Sequence, residues 1–269
     1  MHPYLIALLL LLSIGTCGPA PLAAQFPYDL DNPQLVGELP EELDEISGLT
    51  IRNGDLLAVE DEYGILYRLA LADGSILERT EFWESGDYEG LATVGENEVW
   101  VTKSNGRLYR ITAPGTNEQR VKEYNTWLKG ENDVEGLAYD ATRNRLLLAC
   151  KDDPKGNGMS KENRYIFAFD LETKKLGEEA AYSIPREDDF SPSALAIHPL
   201  TGQLFLTSSV GNRLLVADAE GRIETVRKLD KRFLPQAEGL AFTADGTLYI
   251  STEARDGEPA RIYRLPLAP

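Results

Sequence analysis

Histidine and cysteine are scarce in this chain, with two of each in 269 residues. His2 and Cys17 fall near the start, so the rest of the chain carries only His198 and Cys150. A lone cysteine closes no internal disulfide, and stability must come from a packed core. Cys150 ends the apolar run Leu146-Leu147-Leu148-Ala149-Cys150, the setting of a buried structural thiol. One histidine excludes a two-histidine catalytic pair. No HExxH, CxxC, G-x-S-x-G or phosphate-cradling glycine loop is present. Basic residues are also in deficit, 27 against 44 acidic ones, for a formal charge of -17. Such a surface repels phosphate backbones and anionic headgroups, which argues against nucleic acid and against electrostatic membrane docking. A hydrophobic fraction of 42% is ample for a core and excludes disorder throughout.

Only one apolar run is long. Residues 4–12 form it, at the length of a signal-peptide core and too short to span a bilayer. The preceding Met1-His2-Pro3 lacks the usual Lys or Arg. Ile14-Gly15-Thr16-Cys17 resembles a bacterial lipobox, with Thr16 where Gly, Ala or Ser is usual. Residues 1–17 are therefore expected to be a signal peptide, and Cys17 the lipidation site. Ordinary cleavage after Ala24 is the alternative. Residues 18–33 are expected to be a tether and residues 34–269 a single domain. The protein is thus expected to be exported to the cell envelope, touching membrane only through an N-terminal lipid.

The remainder is organised by repetition. Ile46-Ser47-Gly48-Leu49, Tyr88-Glu89-Gly90-Leu91, Val134-Glu135-Gly136-Leu137, Pro192-Ser193-Ala194-Leu195 and Ala237-Glu238-Gly239-Leu240 align. A spacing near 40–45 residues is that of a four-stranded propeller blade. Each signature is followed by a second apolar strand, at 55–60, 98–103, 145–151, 203–208 and 247–253, and by a third. Turn signals such as Asn53-Gly54 and Asp245-Gly246 separate them. Alternation rather than helical periodicity predominates. The longest step contains the polar insertion 152–164, either functional or simply mobile. Blade five stops one strand short, and residues 34–39 fit no other slot. The expectation is an all-β fold: a monomeric five-bladed β-propeller whose last blade is closed by an N-terminal strand.

In a propeller the first strand of each blade lines the central channel. The signature residues Ser47, Glu89, Glu135, Ser193 and Glu238 should converge there. The second-strand ends Glu60, Lys103, Lys151, Ser208 and Glu253 should lie just outside them. Carboxylates aimed at one axis resist ionising unless compensated. Compensation could be internal, through Lys103 and Lys151, or a bound cation. Oxygen ligands without His or Cys suit calcium or magnesium, with Glu89, Glu135 and Glu238 as the metal candidates. His198, Asp152-Asp153 and Asp188-Asp189 read as turn and loop residues, and Trp83, Trp100 and Trp127 as inter-blade packing.

The segments 43–49, 86–91, 191–199 and 235–240 resemble the SdiA-regulated family of bacterial envelope proteins. That resemblance implies a five-bladed, NHL-like propeller and a bound calcium ion. Blade four departs from the pattern with Ala194 where the others carry glycine. Two functions follow as expectations. The first is an envelope-anchored binding module with a calcium-linked central site, recognising a small ligand or an envelope protein. The second is a calcium-dependent hydrolase of an ester, lactone or phosphoester, of the phytase-like esterase type.

Overall fold

The computed structural model describes residues 26–152, 159–186 and 190–266. The expected signal peptide, Cys17, the alternative cleavage point after Ala24, Asp153 and the Asp188-Asp189 pair lie outside them. Strand β1 (Gln34–Glu38) precedes five antiparallel meanders. Blade one is β2 (Ile46–Arg52), β3 (Asp55–Glu60), β4 (Ile65–Leu69) and β5 (Ile76–Glu81). Blade two is β6 (Tyr88–Val94), β7 (Glu98–Lys103), β8 (Leu108–Thr112) and β9 (Arg120–Tyr124). Blade three is β10 (Val134–Asp140), β11 (Arg145–Cys150), β12 (Asn163–Asp170) and β13 (Lys175–Pro185). Blade four is β14 (Ala194–Ile197), β15 (Leu204–Ser208), β16 (Arg213–Ala217) and β17 (Ile223–Lys228). Blade five has only β18 (Ala237–Phe242), β19 (Leu248–Thr252) and β20 (Arg261–Leu265). β1 completes it antiparallel to β20, with Gln34 opposite Arg264 and Glu38 opposite Arg261. The closing strand expected at 34–39 is this one, and pairing it satisfies backbone groups that an open edge would expose.

The reversals sit where the turn residues are. Asn53 and Gly54 both adopt positive φ, 53° and 87°, as a two-residue hairpin of primed type requires. The inner strands β2, β6, β10, β14 and β18 pack against one another in cyclic order and close the ring. Between successive blades lies one apolar cluster each, five in all. Trp100 is fully buried in the cluster between blades two and three. The Trp127 indole donates to the Gly177 carbonyl at 3.0 Å, and Trp83 stays 38% exposed.

The glycine of the four signatures that carry one has a packing cause. A Cβ on Gly90 would stand 2.8 Å from the Glu135 carbonyl oxygen and the Leu137 nitrogen. One on Gly136 would meet Leu195 Cβ at 2.9 Å. Inner strands approach closely near the axis, and backbone fills the room a side chain would need.

The expected tether ends sooner than residue 33. Phe26 and Tyr28 are buried, 8% and 3% exposed, in the cluster between blades four and five. The Tyr28 hydroxyl donates to the Gly246 carbonyl at 2.6 Å, and its ring meets Phe205 edge-on. Asp29 N–H donates to the Pro266 carbonyl. Two aromatic side chains gain too much by burial to remain in solvent, roughly 1.5–3 kcal/mol each.

Candidate functional site at the channel mouth

Four of the five signatures contain a β-bulge. The register shifts between Ile46 and Gly48, Tyr88 and Gly90, Val134 and Gly136, and Ala237 and Gly239. Ser47, Glu89, Glu135 and Glu238 are thus the unpaired extra residues, and a bulge re-aims such a side chain. Three of them, Glu89, Glu135 and Glu238, line one cavity of about 470 Å³ at the mouth of the channel. Asp61, Lys151, Glu253 and Arg255 complete its charged lining, with Ser209, Val210 and Gln236. Five carboxyl groups face two cations, a surplus of three acidic groups.

The serines take another role. Ser47 Oγ donates to the Tyr88 carbonyl at 2.7 Å, and Ser193 Oγ to the Ala237 carbonyl at 2.6 Å. Each stitches its blade to the next.

The second-strand positions divide by register. Glu60 pairs with Ile46, Lys103 with Tyr88, Cys150 with Val134 and Thr252 with Ala237. Equivalent positions one residue further on are therefore Asp61, Ser104, Lys151 and Glu253, with Ser209 in blade four by the Ala194–Thr207 pair. Lys151 and Glu253 were aligned correctly from sequence. Glu60, Lys103 and Ser208 stand one residue short, and one residue along a strand reverses the face a side chain takes. The buried Glu60 carboxylate accepts from the N–H groups of Glu62 and Tyr63, at 3.0 and 2.6 Å, and shapes the β3–β4 loop. Lys103 Nζ lies over the Tyr88 ring, 4.6 Å from its centroid, rather than over the acidic ring. Ser208 Oγ accepts from Ser191 N–H within blade four.

Below the mouth, Leu49, Leu91, Leu137, Leu195 and Leu240 form a buried apolar ring. The void at their level is about 10 Å³, no more than one water needs. The channel is plugged, and the acidic site is a cup rather than a pore.

Electrostatics in this cup are dominated by burial. Lys151 Nζ contacts Glu135 Oε1 at 2.6 Å. Burial opposes the lysine charge, but Glu135 and Glu238 outweigh it and raise its basicity. Glu135 itself stays raised to about 7, because burial outweighs the ammonium beside it. Burial, then the Glu135 and Asp87 carboxylates, push Glu89 up to about 10. Glu238, 5% exposed, is driven well above the usual range by burial and then by Glu135 and Glu253. Asp61 and Glu253 are raised to about 7, by burial and then by Glu45 and Asp61 respectively. Asp61 Oδ1 is buried and meets no donor.

These donors are of the kind a hard cation takes: carboxyl oxygens in excess of cations, and an orphaned buried oxygen on Asp61. Among the described residues no three acidic, imidazole or thiol groups already converge on one point. Binding an ion therefore requires glutamate side chains to turn within the cavity. Asp61, Gln236 and Arg255 were not anticipated, nor were Glu45, Asp87 and Asp133, whose carboxyl groups raise the pKa of the acids that line the cup. Asp61 and Arg255 lie one and two residues beyond the second-strand ends. Asp87, Asp133 and Gln236 each precede a signature glutamate by two positions, a spacing visible in the sequence.

Fold and site together define a closed five-bladed β-propeller with an acidic, one-sided central cup. The chain belongs to the SdiA-regulated family, whose model matches residues 25–266. No curated protein matches it in sequence. Among solved structures it is similar to glutaminyl cyclase of Myxococcus xanthus, at 16% identity and TM-score 0.61, covering 88% of this chain and 97% of that one. It is similar to the PQQ-bound aldose sugar dehydrogenase of Streptomyces coelicolor, at 16% identity and TM-score 0.53, covering 87% and 97%. A chain of a nidogen/laminin complex aligns at 18% identity and TM-score 0.52, covering 77% and 72%. Identities this low speak to fold alone.

Proposed function

We propose that this protein is an envelope-anchored binding module whose central cup holds calcium and recognises a small ligand or an envelope protein there. The observation that carries the reading is the surplus of three carboxyl groups over cations in a largely buried cup, whose ionisation burial resists until a cation compensates it. Bound calcium would supply the neutralising charge and open coordination positions for a ligand's oxygen atoms. Glu89, Glu135 and Glu238 would hold it, with Asp61 and Glu253 at the rim. Lys151 orients Glu135, and the leucine ring closes the cup beneath. A plugged channel favours recognition across the mouth over passage through it. The test is a calorimetric calcium titration of the chelator-stripped protein. One ion per chain is expected, with binding lost in Glu238→Gln; equal binding by that variant would overturn the assignment. Anchoring is checked separately: Cys17→Ser should shift the protein from the membrane to the soluble envelope fraction, and unchanged partitioning would remove Cys17 as the anchor.

One observation favours a second reading, calcium-dependent hydrolysis of an ester, lactone or phosphoester. Glu135 is held near 7 and is positioned by Lys151, the range suited to a general base. Calcium-dependent turnover of aryl esters, lactones or phosphoesters, abolished in Glu135→Gln, would establish it. Absence of turnover across that panel would retire it.

A further inference from the structure

At the end of the propeller opposite the acidic cup, a cavity of about 350 Å³ lies between blades three and four. Tyr139, Ile197, Pro199, Leu204 and Ala219 contribute apolar surface to its lining, together with the Tyr182 ring. The volume is at the lower end of the about 300–1,000 Å³ of small-molecule sites, which join an apolar recess to a few placed polar groups.

Those polar groups are present at the rim. Asp140 is 4% exposed. It accepts from Thr142 Oγ1 at 2.5 Å, from Arg145 Nε at 2.9 Å and from Arg143 Nη1 at 3.3 Å. Arg145 also donates through Nη2 to the Tyr182 hydroxyl at 2.9 Å, which itself donates to the Ala219 carbonyl at 3.0 Å. This chain of bonds fixes the Tyr182 ring as a rigid wall. Two guanidinium groups therefore share one carboxylate at the rim. Arg145 is mostly enclosed, whereas the Arg143 side chain is 45% exposed and its side-chain bond to Asp140 is the longest of the set. Nearby, Asp218 and Glu220 share Arg222, at 2.6 and 3.0 Å, and Glu220 adds to the basicity of Arg143 without an ion pair to it. A guanidinium has five donors, so Arg143 keeps the capacity to meet a second carboxylate in the bidentate manner that suits it.

We infer that this cavity is a second binding site, for a small planar organic acid whose aromatic body lies against Tyr182, Ile197 and Leu204 and whose carboxylate meets Arg143. The site is independent of the acidic cup, opposite to it in position and in the sign of the charge it selects.

The test is a calorimetric titration of the protein with naphthoate, and with naphthylmethanol as its uncharged counterpart. The wild type should bind one naphthoate per chain. Arg143→Gln should weaken naphthoate about tenfold or more, as loss of a charge-assisted bond implies, and leave naphthylmethanol unchanged. Ala219→Phe, which fills the recess, should abolish binding of both. Should Ala219→Phe fail to fold, the Arg143→Gln comparison decides alone. No naphthoate binding by the wild type would overturn the inference. Equal weakening of both ligands by Arg143→Gln, or wild-type binding by both variants, would do so too.

Discussion

Replacing Glu89 by glutamine should stabilise the cation-free protein, although most substitutions of a largely buried polar group do the reverse. Glu89 is raised to about 10 from an ordinary 4.5, by burial and by the Glu135 and Asp87 carboxylates. At about pH 7.5 it keeps its proton when folded and loses it when unfolded. A folded-state value raised in this way gives stability that is complete below the unfolded pKa and lost as pH rises toward the folded one. Holding the proton costs about 1.4 kcal/mol per pH unit above 4.5, so about 4 kcal/mol is the ceiling at about pH 7.5. Side-chain relaxation and water in the cup reduce this to about 1–2 kcal/mol. Glutamine has the shape of the protonated acid and keeps a donor for the Asp87 carboxylate, whose hydrogen bond helps hold the proton on Glu89. For a domain of this size about 1–2 kcal/mol corresponds to about 2–8 °C in Tm. Scanning calorimetry in chelator should show that gain at about pH 7.5 and none at about pH 3.5, where both side chains are neutral in the folded and the unfolded chain. A Tm equal to or below wild type at about pH 7.5 would refute the reasoning.

Two further outcomes concern the scaffold. Gly90→Ala places a Cβ 2.8 Å from the Glu135 backbone; it should cost about 1–3 kcal/mol and lower Tm, whereas an unchanged Tm would remove close approach as the cause of the signature glycine. Tyr28→Phe deletes the hydroxyl bonded to the Gly246 carbonyl and leaves that oxygen unpaired; a loss of about 1–2 kcal/mol in denaturant unfolding is expected, and no loss would make residues 26–30 an adventitious appendage.

Much of the architecture was legible because period-two alternation and a repeat near 45 residues are local signals. Asn53-Gly54 marked its hairpin, and the orphan segment at 34–39 found its place by elimination. The inner signature glutamates were legible for the same reason. The second ring was legible only in part, since its alignment depends on the bulge at each signature. A bulge is a relation between two strands and leaves no mark in either alone. That is why Glu60 was read where Asp61 faces the cup, and Lys103 where Ser104 stands bonded to Asp87. Phe26 and Tyr28 were missed differently. Their flanks are short of periodicity, and their partners Phe205 and Phe242 lie far along the chain.

The central claim is that the acidic cup is a calcium site, and thermal stability across pH, in calcium and in chelator, beside metal content as purified, tests it most directly. Without the ion, the raised carboxylates make stability fall as pH climbs from about 4.5 through 7. With calcium, those carboxylates ionise onto the metal, so the calcium-induced rise in Tm should grow over the same range and vanish in a Glu89→Gln/Glu135→Gln double variant. Absence of metal, together with identical Tm in calcium and chelator at every pH, would show a proton-sharing structural ring and contradict the account.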